Sequence, residues 1–110
     1  MCSTTFVNRE NNRTNRYLIK EMMEAAYQQI KIKTYDLAII NCRKKDIQET
    51  NNAIQDLIND LSIDDENMKL ISSGMIRLCQ FCQDQMTQKN YDMVLKILTD
   101  LKEFQMKQKL

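Results

Sequence analysis

The sequence predicts an all-α fold, an antiparallel helical bundle of four to five helices, on three observations. Proline is absent and glycine occurs once, at Gly74. Tight strand turns draw on those residues because few others accept positive φ, so the chain is poorly equipped for hairpins. Apolar residues recur every three or four positions in several separate segments, which is the period of a helix with one buried face. The connections between those segments are short, and short connections make successive helices antiparallel neighbours.

Residues 1–13 are polar and rich in Asn and Arg, and read as a flexible N-terminal arm ahead of a single domain, 14–110. Thr14 or Asn15 suits an N-cap, and Ile19, Met22, Met23, Ala26 and Ile30 then recur at helical spacing, giving a first helix over about 15–32 whose stripe is expected to face the core. A second helix is expected from Thr34 or Tyr35, with Leu37, Ala38, Ile40 and Cys42 turned inward. The cations Arg43, Lys44 and Lys45 suit its C-terminal end, where they meet the negative pole of the helix dipole.

Asp46 with Glu49 has the spacing of a capping box. Ile47, Thr50, Ile54, Leu57, Ile58 and Leu61 follow it in a 3-4 rhythm and place a helix over 47–61. With no breaker near 43–46, this helix and the preceding one also read as one continuous helix. Ser62 with Asp65 repeats the capping spacing. Met68, Ile71, Met75, Leu78, Cys82 and Met86 then mark a helix over 65–88. Gly74 within it costs about 1 kcal/mol relative to alanine unless another helix packs closely there. Asn90 suits the N-cap of a last helix, 91–108, striped by Val94, Ile97, Leu98, Leu101 and Phe104. Lys33-Thr34-Tyr35-Asp36 is echoed by Lys89-Asn90-Tyr91-Asp92; this reads either as shared helix-start chemistry or as a duplicated hairpin.

The net charge of +1 hides an asymmetry. Residues 1–45 hold nine Lys and Arg against four Asp and Glu, and the remainder seven against eleven. Arg9, Arg13, Arg16 and Lys20 share one helix face if the first helix extends backwards. With Arg43, Lys44 and Lys45 they form a candidate basic patch for nucleic acid or an anionic surface, on condition that both groups share one surface. The alternative is a solvated arm.

Eight methionines are many for 110 residues. Met22, Met23, Met75, Met86 and Met93 are candidates for a partner-binding groove, because the thioether adapts to varied surfaces; filling a core is the alternative. Cys79 and Cys82 form a Cys-x-x-Cys pair that falls inside a helix. There the dipole does little to lower a thiol pKa, and without histidine a zinc site would need Cys2 and Cys42 as well. Buried core thiols are the expectation, with no metal and no cofactor. Asp60, Asp64, Asp65 and Glu66 lack the glycine and spacing of a calcium loop and read as a capping turn. Asn12-Arg13-Thr14 matches a glycosylation acceptor, with no secretory signal to make it relevant.

Tyr35-Asp36-Leu37-Ala38-Ile39 with Asn51-Asn52-Ala53 resembles one tetratricopeptide unit, but the family's small residue and proline are absent. The stretch from Asp46 to Phe104 resembles flagellin export chaperones, with a shortened 47–61 helix and without the family's N-terminal pattern. Ile71 to Met75 through Asn90-Tyr91 resembles the helical C-terminal domain of a vesicle-coat scaffold, whose final helix is missing here. All three rest on generic helix patterning, and none is read as membership.

No histidine, phosphate-binding glycine loop or nucleophile elbow is present, so nothing in the chain proposes an enzyme. There is no run of ~18 apolar residues to span a membrane and no apolar signal core in residues 1–7. A cytoplasmic, non-catalytic adaptor, chaperone or assembly subunit is the expectation. Its partner is another protein or a second copy of itself.

Overall fold

The structure, a computed structural model, describes residues 9–63 and 69–107, with side chains from residue 15 onward. Four helices pack against one another: α1 Arg9–Arg43, α2 Ile47–Leu61, α3 Lys69–Thr87 and α4 Tyr91–Lys107. No strand occurs among the described residues. Helix α1 packs on α2 and α4, and α3 closes the ring against α2 and α4. No described helix is long and apolar enough to cross a membrane.

The two helices expected over 15–45 are a single helix. The break expected at Thr34 does not occur because the Thr34 hydroxyl donates back to the Ile30 carbonyl at 3.0 Å, so the hydroxyl joins the helix instead of capping a new one. The helix also begins by Arg9, so residues 9–13 of the expected arm are helical. The rest of the arm, the Ser62–Asp65 capping spacing, Met68 and most of the acidic cluster lie outside the described residues.

The chain does break between α1 and α2, without glycine or proline. Lys45 takes a left-handed φ of 60°. Its N–H donates to the Cys42 carbonyl and that of Asp46 to the Asn41 carbonyl, the paired bonds of a Schellman ending. Asp46 then caps α2 by accepting from the Glu49 N–H at 3.1 Å. The turn from α3 to α4 has the same design. Lys89 has a φ of 64°, its N–H donates to Met86, and the Asn90 N–H donates to Gln85.

The equivalence extends into the core at a spacing of 44 residues, Lys45 to Lys89. Tyr35, Ala38 and Cys42 correspond to Cys79, Cys82 and Met86. Thr50, Ile54, Leu57 and Leu61 correspond to Val94, Leu98, Leu101 and Gln105. All of these are buried. Two hairpins of one design therefore build the bundle. The 33–36 half of the sequence echo is mid-helix in α1, so it marks no helix start.

Helices α1 and α4 run antiparallel. The Cys42 thiol reaches the Tyr91 carbonyl, while fourteen residues earlier Gln28 accepts from Gln105 Nε2 at 2.7 Å. Lys102 pairs with Asp36 between those points. On the other side of the ring Gln83 Nε2 donates to the Asn51 carbonyl and to Gln55 Oε1, both at 3.2 Å, tying α3 to α2. Gly74 is exposed, and a Cβ built there would meet nothing within 4 Å, so packing within the bundle does not require the glycine.

Candidate interaction surface

Helix α1 is far longer than its neighbours. Its 35 residues reach about 52 Å at 1.5 Å per residue. The other three have 15, 19 and 17 residues, or about 22–29 Å. Gln28 pairs with Gln105 near the end of α4, and among the described side chains the first buried residue of α1 is Tyr35. The N-terminal half of α1 therefore overhangs the bundle, consistent with overall dimensions of 62 × 29 × 20 Å. Neither proline nor glycine interrupts residues 9–43, so nothing local opposes so long a helix.

The faces of α1 carry the main finding. Tyr35, Ala38, Ile39 and Cys42 are buried against the other helices. Ile19, Met23, Ala26, Ile30, Leu37 and Ile40 are exposed. At about 100° per residue, this second group clusters roughly 160° around the helix from the first. The expectation that Ile19, Met22, Met23, Ala26, Ile30, Leu37 and Ile40 face the core is corrected. Once 9–43 is one helix, only one phase can meet α2 and α4, and the 35/38/42 phase holds it. In the overhang the continuation of the core face is mixed: Glu21, Glu24 and Gln28 are polar, whereas Tyr17, Leu18 and Ala25 on the same side are apolar and exposed. A shallow, open depression on its flank is bounded by Arg16, Ile19, Lys20, Met23, Glu24 and Tyr27.

The candidate methionines separate. Met22 and Met23, 70 % and 67 % exposed, stand on the outward side of α1. Met75 and Met86, 7 % and 0 % exposed, fill the core. Their assignment to a groove is therefore corrected: both lie on the face of α3 that meets the other helices, and the Met86 thioether contacts the Cys42 thiol at 3.7 Å. Met93 is partly exposed, but it belongs to α4 near the Tyr91–Cys42 contact. That is about twenty residues, or roughly 30 Å, along α1 from Met22. No groove unites the five.

The basic residues separate too. Arg16 and Arg43 stand on one helix, 27 residues or roughly 40 Å apart and on different sides of it. Lys20 accompanies Arg16, and the helix places Arg9 and Arg13 further out. Lys44 is exposed at the turn, and Lys45 lies over the Tyr91 ring at 5.7 Å. The single surface required of the seven-residue patch is not formed.

Cys79 and Cys82 are fully buried, and burial pushes both thiols up to about 12. Cys42 is raised as well, first by burial and then by Asp92. A thiol so disfavoured as thiolate is a poor nucleophile and a poor metal ligand. Among the described residues no group of three His, Cys, Asp or Glu is placed to hold a metal ion.

The outward residues Ile30, Leu37 and Ile40 are the feature that the sequence reading assigned wrongly. The signal was present: a 4-3 register runs from Ile19 to Ile40 and is apolar at every position but Lys33, whereas the buried positions of α1 fall between them. The chain matches no family model, no curated protein and no solved structure.

Proposed function

We propose that this chain is a protein-interaction module without catalysis of its own: an adaptor, chaperone or assembly subunit that docks a protein through the outward face of α1. The observation that carries the reading is the apolar stripe on the side of α1 turned away from the bundle, with Ile19, Met22, Met23 and Ile30 each more than half exposed. Isolated exposed apolar residues are ordinary, but a contiguous stripe of them marks a contact surface. The antiparallel bundle holds one end of α1 rigid and presents the other. The Met22–Met23 step supplies an adaptable surface suited to a helical ligand. Free buried thiols fit a reducing, cytoplasmic setting.

The test is a photo-crosslinking amino acid placed at Met23 and, as control, at Lys96, an exposed position on α4. In cells, adducts to protein are expected from Met23 and not from Lys96, and Ile30→Asp in the same chain abolishes them. Equal labelling from both positions, or none from Met23, contradicts the proposal.

A further inference from the structure

We infer that the occupant of the outward α1 face is the α1 helix of a second copy of this chain, laid antiparallel along it. The inference deepens the interaction reading and rests on it. Ile19, Met23, Ala26, Ile30, Lys33, Leu37 and Ile40 follow at 4, 3, 4, 3, 4 and 3, the a/d spacing of a two-stranded coiled coil held for three heptads. Within that register Gln28, Tyr35 and Cys42 occupy f positions. The side of α1 farthest from the seam is therefore the one that docks on its own bundle, and among the described residues the seam lies open to a partner helix.

The area matches a dimer. The six apolar seam residues and Tyr27 are exposed (42–67 % for the large ones). At about 200 Å² for a large residue fully exposed, they offer on the order of 700 Å² per chain, within the roughly 600–1,000 Å² that each partner contributes to a standard interface.

Charge selects the orientation. A parallel pair in register sets Lys33 against Lys33 and draws the Arg16–Lys20 ends together, which opposes pairing. An antiparallel pair centred between Ala26 and Ile30 sets Ile19 opposite Leu37 and Ala26 opposite Ile30 of the second copy. Lys33 then lies across from Met23, where its stem covers the thioether while its ammonium reaches water. Opposed helix dipoles favour the same arrangement.

Sedimentation of the purified full chain from micromolar to millimolar concentration is the test. The mass is expected to rise from 13.1 kDa toward twice that value. Ile30→Asp is expected to weaken the dimer by about 100-fold or more, since it puts a charge at the seam centre, while dilute helicity stays unchanged. Met23→Asp, also at an exposed position, repeats the test should Ile30→Asp disturb folding. In a Cys2→Ser background, Ile19→Cys alone should form no disulfide, because the two copies stand roughly 27 Å apart in the antiparallel pair. Ile19→Cys with Leu37→Cys should form one. A disulfide from Ile19→Cys alone overturns the orientation. A chain monomeric at every concentration overturns self-pairing. If that monomer still gives Met23 adducts to another protein, the interaction reading survives and only the choice of occupant fails.

Discussion

Truncating Ile54 and Ile30 to alanine distinguishes the inner and outer faces of this bundle by stability alone. Ile54 is 0 % exposed, packed where α2 meets the ring, whereas Ile30 is 57 % exposed on the outer side of α1. Ile54→Ala forfeits roughly 2.5 kcal/mol of transfer free energy. A residual void on the order of 50 Å³ adds about 1 kcal/mol, for a loss near 3.5 kcal/mol. Ile30→Ala removes a side chain that is less than half covered, about 1 kcal/mol, and leaves no enclosed void. The better helix propensity of alanine returns about 0.4 kcal/mol at both helical sites, so the net costs are about 3 kcal/mol for Ile54→Ala and about 0.5 kcal/mol for Ile30→Ala. The difference of about 2.5 kcal/mol corresponds to roughly 10 °C in Tm for a chain of this size. Thermal and urea unfolding followed by circular dichroism, at concentrations low enough to keep the chain monomeric, measures both. Equal destabilisation by the two variants would mean that Ile30 is packed within the monomer, and the assignment of faces on α1 would be refuted.

Three further outcomes follow from local features. Lys45→Gly and Lys89→Gly each relieve a left-handed backbone carried by a residue with a Cβ, so each raises unfolding free energy by about 0.5–1 kcal/mol; a loss in urea titration would show that those turns are not as described. Gly74→Ala adds about 1 kcal/mol because nothing stands where the Cβ would go; destabilisation would mean that a helix packs on Gly74 within the monomer. Cys79 and Cys82 keep their protons in the fold up to about 12 but lose them near 9 once unfolded. Stability is therefore full below pH 9 and falls as pH rises from there toward 12, by about 1.4 kcal/mol per pH unit for each thiol. A Tm constant between pH 8 and pH 10.5 contradicts this.

The span of helix α2 was legible, since Asp46 and Glu49 offer a start and Ile47 through Leu61 repeat in a 3-4 rhythm, but its separation from the preceding helix was not. The fates of Met75 and Met86 were not, because a methionine on a stripe looks the same in a core as in a groove, and only the packing of α3 decides. The continuity of α1 was hidden by Thr34, whose hydroxyl serves a cap or a back-bond equally well. The α1–α2 turn was hidden because lysine stands where glycine usually signals a helix end. The outward stripe was misassigned for a physical reason as well. Two apolar phases coexist on α1, and one sequence cannot tell which of them its own chain will cover until α2 and α4 are in place. The seven basic residues failed as a patch through the same continuity, which places Arg16 and Arg43 far apart on one long helix.

Methionine footprinting by dilute oxidant tests the central claim, that α1 presents its apolar outer face to a partner. In the dilute chain Met22 and Met23 are expected to oxidise rapidly while Met75 and Met86 resist, and raising the concentration should shield Met22 and Met23 selectively. Protection of Met22 and Met23 in the dilute chain, or oxidation of Met75 and Met86 at the same rate, would contradict it.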